Sequence, residues 1–205
     1  MLTSGSVYDG WIVTISPGIT LTEDSANSTN LDLTKSATFT TLAEGLLITF
    51  TQQSASAAPT ISFQSESVTN SAGSNWGGFE FLLLNPADSA SFSGSPFTAA
   101  TGYTFDSAGS TSTSLIYTGA QAEGTTSLWG TSGNGGALNI AADPTGVGTT
   151  FVFKELPLTS AFVTGLPGGG GSPIPVPLPP AVWQGLMGCG CLVLVGLAKR
   201  RRQRS

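Results

Sequence analysis

The chain is 205 residues long, and only 9% of them are Asp, Glu, Lys or Arg, against about a quarter in an average soluble domain. It has no His and two Cys, which excludes a Ser-His-Asp triad, imidazole-based metal or proton-transfer chemistry, a four-thiolate zinc site and a disulfide-dense scaffold. The net charge of −5 is the sum of an acidic body, in which Lys35 and Lys154 are the only cations up to residue 180, and a tip carrying Lys199, Arg200, Arg201, Arg202 and Arg204. An acidic body of this kind does not suit nucleic acid.

In chain order, the opening MLTSGSVYDG has neither the basic start nor the apolar run of a secretory signal peptide. Trp11, Val13 and Ile15 then alternate with Ile12 and Thr14, a period of two that predicts a strand. The same period places Leu46, Ile48 and Phe50 on one face. It does so again for Phe79, Phe81 and Leu83, and for Phe151 and Phe153. Weaker strand patterns cover Thr38–Thr41, Thr60–Val68, Tyr103–Phe105, Ser114–Thr118, Ser127–Trp129 and Ala137–Ile140. Clusters rich in Gly, Asn and Ser at 70–75 and 131–136 read as turns, because these residues tolerate the backbone angles that turns need. Nine or ten short strands without a competing amphipathic helix predict an all-β domain over residues 1–165, a β-sandwich or jelly roll.

From Leu166 the composition changes. Residues 166–180 form a Gly/Pro linker: a flexible run of glycines, then PIPVPLPP, which favours extended polyproline II. Residues 181–198 carry no charge and one polar amide, Gln184. As a helix they reach about 27 Å, close to the roughly 30 Å hydrocarbon core of a bilayer. Ala181, Trp183, Leu186, Leu192, Val193, Leu194, Val195 and Leu197 make this segment the expected membrane anchor, with the Trp183 indole suited to the interface. Residues 199–205 form a basic tip that belongs on the cytoplasmic side. That topology needs the body exported, which the missing signal peptide leaves unexplained.

The last three parts together resemble the PEP-CTERM class of bacterial sorting signals. Val176, Pro177, Leu178 and Pro179 resemble its VPLPA-CTERM variety, with Pro180 interposed before Ala181. The resemblance covers about residues 174–204 and does not extend to the body. It implies that the protein is a substrate of an exosortase-type membrane protease in an exopolysaccharide-producing Gram-negative bacterium. The precursor would sit in the inner membrane, with the body periplasmic, and the product at the cell surface or in the extracellular matrix. Exopolysaccharide is a further candidate partner. The alternative for this end is a permanent single-pass anchor.

Chemistry in the body is sparse. Cys189 and Cys191 lie inside the apolar segment and behave there as small apolar groups. Glu23 and Asp24 are adjacent, so a regular strand points them to opposite faces. No calcium-loop, phosphate-loop or serine-elbow motif occurs. The expectation is a non-enzymatic protein with no cofactor and no metal. The alternative is a carbohydrate- or calcium-binding module on the same delivery signal. Trp76, followed by two glycines in an expected loop, is its candidate glycan contact.

Overall fold

Alternate side chains of the period-two segments are buried in the computed structural model, which describes residues 1–27, 29–42, 45–84, 89–94, 96–130, 137–142 and 146–160, all within the unit Met1–Ser172. The regular elements among them are thirteen strands. These are β1 (Ser6–Tyr8), β2 (Trp11–Ile15), β3 (Ile19–Asn27), β4 (Asn30–Phe39), β5 (Leu46–Gln52), β6 (Thr60–Asn70) and β7 (Trp76–Leu84). The series continues with β8 (Ala90–Ser93), β9 (Tyr103–Asp106), β10 (Ser114–Gln121), β11 (Thr126–Trp129), β12 (Leu138–Ala142) and β13 (Thr150–Leu158).

They form two sheets. The first runs β1-β2-β5-β13-β7-β10-β9, and the second β3-β4-β6-β12-β8 with β11 also paired to β6. The long β6 makes this possible. One of its sides pairs with β4, while the other is shared by β12 at Thr60–Phe63 and β11 at Glu66–Thr69. β4 and β6 run parallel. A parallel pair needs a crossover connection, and β5 supplies it by crossing to the other sheet between them.

Aromatic rings from both sheets meet between them. Phe63 of β6 stacks on Phe153 of β13 at 4.8 Å, and Phe39 of β4 packs edge-on against Trp76 and Phe79 of β7 at 5.4 and 5.6 Å. Trp129 of β11 lies among Phe79, Phe81 and Tyr117 at 5.7, 5.3 and 5.0 Å. The all-β expectation therefore holds in the form of two sheets facing each other across an aromatic core. The expected transmembrane segment and linker lie outside the described residues.

The alternation placed the inward faces of β5, β7 and β13 well: Ile48, Phe50, Phe79, Phe81, Leu83, Phe151 and Phe153 are all buried. Other strands escaped it. The weak pattern at Thr38–Thr41 catches only the last two residues of β4, whose apolar row begins at Leu31 and is interrupted by Lys35. β3 is masked by its polar run, and at its centre the pairing with β4 shifts between Glu23 and Ser25. Glu23 nevertheless stands opposite the inward-facing Leu33, whereas the Asp24 carboxylate accepts from the hydroxyl of Thr34 on the outward row at 2.6 Å, so the two acids face opposite ways. β1 and β8 carry too few apolar residues to show. The β1–β2 turn, however, is legible in hindsight. Asp9 and Gly10 have φ of 44° and 80°, the Asp-Gly pair that a two-residue hairpin of matching twist prefers. Gly10 is required twice, because a Cβ there would also lie 2.6 Å from the Ala57 Cα.

Candidate functional site

Three charged side chains face inward on strands whose inner rows are otherwise mainly apolar. On β4 the row is Leu31, Leu33, Lys35, Ala37, Phe39; on β13 it is Phe151, Phe153, Glu155, Pro157. On β6, Ile61 and Phe63 face in, and then the register slips. Leu33 pairs with Phe63 while Thr34 pairs with Ser65, leaving Gln64 as an extra residue. One unpaired residue reverses the parity of everything after it. Glu66 therefore faces inward although it is three positions from Phe63, and it sits in register beside Lys35.

The side chains of Lys35, Glu66 and Glu155 have no accessible surface. The Lys35 ammonium donates to Oε1 of Glu66, its neighbour in the same sheet, and to Oε1 of Glu155, which reaches across from the other sheet. It also lies 5.8 Å from the centre of the Phe153 ring. Oε2 of each Glu is buried and has no hydrogen-bond partner. Two ionised carboxylates on one cation would leave a net negative charge in an apolar core, at high cost. Burial, followed by the charge on Glu155, pushes the Glu66 carboxyl well above its ordinary range against the opposing pull of Lys35. Glu66 is thus the acid that the cluster holds toward its neutral form. A Lys in an aliphatic row was the sequence signal for this cluster, but the row itself goes unrecognised in a pattern search that treats Lys35 as surface.

A surface cleft of about 440 Å³ opens near β9, β10 and β11, lined among others by Tyr103, Gln121, Thr125, Ser127 and Leu128. Its polar groups are engaged within the fold. The Gln121 amide donates to the carbonyls of Val68 and Thr125, both at 3.0 Å. Its oxygen accepts from the hydroxyls of Tyr103 at 3.2 Å and Ser127 at 2.9 Å. The Ser127 hydroxyl in turn accepts the Trp129 indole N–H at 3.0 Å. This network ties the β10–β11 turn to β6 and leaves Gln121 no free valence for a ligand.

The glycan expectation for Trp76 is corrected. Trp76 opens β7 rather than lying in a loop, and is 1% exposed. Its ring stacks on Phe79 at 5.8 Å and lies nearly at right angles to Phe39 at 5.4 Å, closed to solvent inside the core. Trp11 and Trp129 are likewise fully buried. Aromatic burial of this size outweighs any surface role. No cluster of three metal-ligating side chains occurs among the described residues. Among them, too, no helix is long and apolar enough to cross a membrane. The expected sorting motif at Val176–Pro179, the expected anchor from Ala181 to Leu197 and the basic residues Lys199–Arg204 all lie outside the described residues. The chain matches no family model, no curated protein and no solved structure.

Proposed function

We infer that this is a non-enzymatic, exported protein of the bacterial cell surface or extracellular matrix, delivered by an exosortase-type C-terminal sorting system. The observation that carries this reading is the order of three elements at the chain end: Val176-Pro177-Leu178-Pro179, then an uncharged apolar segment, then a basic cluster. Each element does a physical job. The apolar segment and the basic tip hold the chain in the inner membrane. Prolines fix φ and remove backbone donors, a composition that favours an extended strip a protease can read.

The body is compatible with a structural role. Its inner surface is an aromatic core, and the two acids that meet on Lys35 are closed to solvent, so they serve no hydrolytic cleft.

Fractionation of the native host with intact-mass measurement tests the reading. The expected surface form lacks the apolar segment, whereas a Pro177→Ala/Pro179→Ala variant stays in the inner membrane at full length. Identical processing of both proteins overturns the sorting assignment. A full-length, membrane-bound wild type supports the permanent anchor in its place.

A further inference from the structure

The buried cluster between the sheets has the composition and placement of a self-condensing site, independent of how the chain end is sorted. We propose that Lys35 and Glu155 join through an intramolecular amide bond, formed with Glu66 as the proton-transfer residue and with loss of one water. Lys35 Nζ touches the carboxyl groups of both Glu66 and Glu155. No side-chain surface of the three is open to solvent. Strands β4, β6 and β13 hold them in place through the pairings Lys35–Glu66 and Glu155–Phe81, with Nζ already against an oxygen of the carboxyl group it attacks.

The step balances without an outside reagent. A proton passes from the Lys35 ammonium to the Glu155 carboxylate, turning an ion pair into a neutral amine and a neutral acid. An apolar core lowers the cost of that exchange, since it removes two buried charges. The Nζ lone pair then attacks Cδ of Glu155. Glu66 gives its proton to the departing oxygen and takes one from Nζ; the C–N bond forms, the C–O bond breaks and water leaves. Glu66 ends as the neutral acid it began as, consistent with a carboxyl that burial keeps protonated. Oε2 of Glu66 and Oε2 of Glu155 are both buried without a hydrogen-bond partner, so each is free to hold the moving proton. Held contact replaces a bimolecular encounter, an advantage of about 10⁵ M or more in effective concentration for well-oriented groups. Exclusion of bulk water protects the amide once made.

Glu155 rather than Glu66 is the bonded partner because it comes from the opposite sheet. Glu66 is left free to transfer protons to either side. The product covalently links β4 to β13 and so staples the two sheets together.

Mass spectrometry of the purified full chain decides the matter. The expected protein is lighter than its sequence mass by one water. Trypsin then fails to cut after Lys35, and the peptide that begins at Glu155, released by the cut after Lys154, stays joined to the fragment holding Lys35. Lys35→Met and Glu155→Gln proteins show the full sequence mass, and Glu66→Gln forms the bond more slowly or not at all. A wild-type chain at its full sequence mass overturns the proposal. So does a water loss that persists in Lys35→Met, as a succinimide at Asp9-Gly10 would give. A linkage mapped to Glu66, with the peptide from Glu155 free, overturns the assignment of roles. The wild-type map stands alone should a variant fail to fold.

Discussion

Glu66 lies beside Lys35 inside the core because the pairing of β4 with β6 passes over Gln64. With regular pairing the inward row of β6 would run Ile61, Phe63, Ser65 and Glu66 would point to solvent. A single extra residue thus decides that a carboxyl is buried. The ammonium in turn lies between strands of both sheets, and the two carboxyls reach it from different directions. The position of one unpaired residue therefore decides whether a second carboxyl reaches the ammonium.

Removing Lys35 also removes the proposed amide and leaves two acids in an apolar cavity. Lys35→Ala is expected to lower the unfolding free energy by about 3–5 kcal/mol, the usual result of deleting one member of a buried charge set. A Lys35→Met/Glu66→Gln/Glu155→Gln chain, which keeps volume and removes every charge, is expected to lose much less. Urea titrations of the two proteins check this, and equal losses would show that packing rather than charge dominates.

The protonated state of Glu66 gives stability a definite slope with pH. Its folded-state affinity for the proton is raised, burial being the larger cause. The folded chain then binds a proton that the unfolded chain releases once pH exceeds the ordinary carboxylate range. The stabilisation is complete below that range and is lost as pH climbs through the raised value. Urea midpoints of the wild type are expected to fall with rising pH over this window, and those of Glu66→Gln to stay more nearly level. A wild-type midpoint that rises across the window contradicts the assignment.

Trp76 is a packing residue. Trp76→Ala is expected to cost about 3–5 kcal/mol, as large-to-small changes of buried aromatics do, and to leave any glycan binding of the folded protein unchanged. Thermal unfolding and a glycan array report the two quantities separately. Loss of glycan binding at unchanged stability would restore the surface role.

Two glycines separate backbone angle from crowding. Gly5 and Gly10 both have positive φ, of 84° and 80°, yet a Cβ on Gly5 meets nothing within 4 Å and one on Gly10 lies 2.6 Å from the Ala57 Cα. Gly5→Ala is expected to cost about 1 kcal/mol for the backbone angle alone. Gly10→Ala adds about 1–3 kcal/mol for forcing atoms into filled space. Equal costs, measured by urea unfolding, would mean that the hairpin tip shifts freely away from Ala57.

The amino-acid order alone determined whatever depends on neighbours along the chain. Alternation marked β5, β7 and β13 and their inward faces, because side chains of a strand point to opposite sides in turn. Composition marked the chain end for the same reason: an uncharged run beside a basic cluster is a local property. The tertiary structure decided what depends on partners far away in sequence. Trp76 is buried because Phe39 on another strand covers it, and no window around residue 76 contains Phe39. Lys35 and Glu155 are 120 residues apart, and each alone reads as a solvated charge. Their burial follows from a crossover, a skipped residue in one pairing and the stacking of two sheets, none of which leaves a mark in local periodicity.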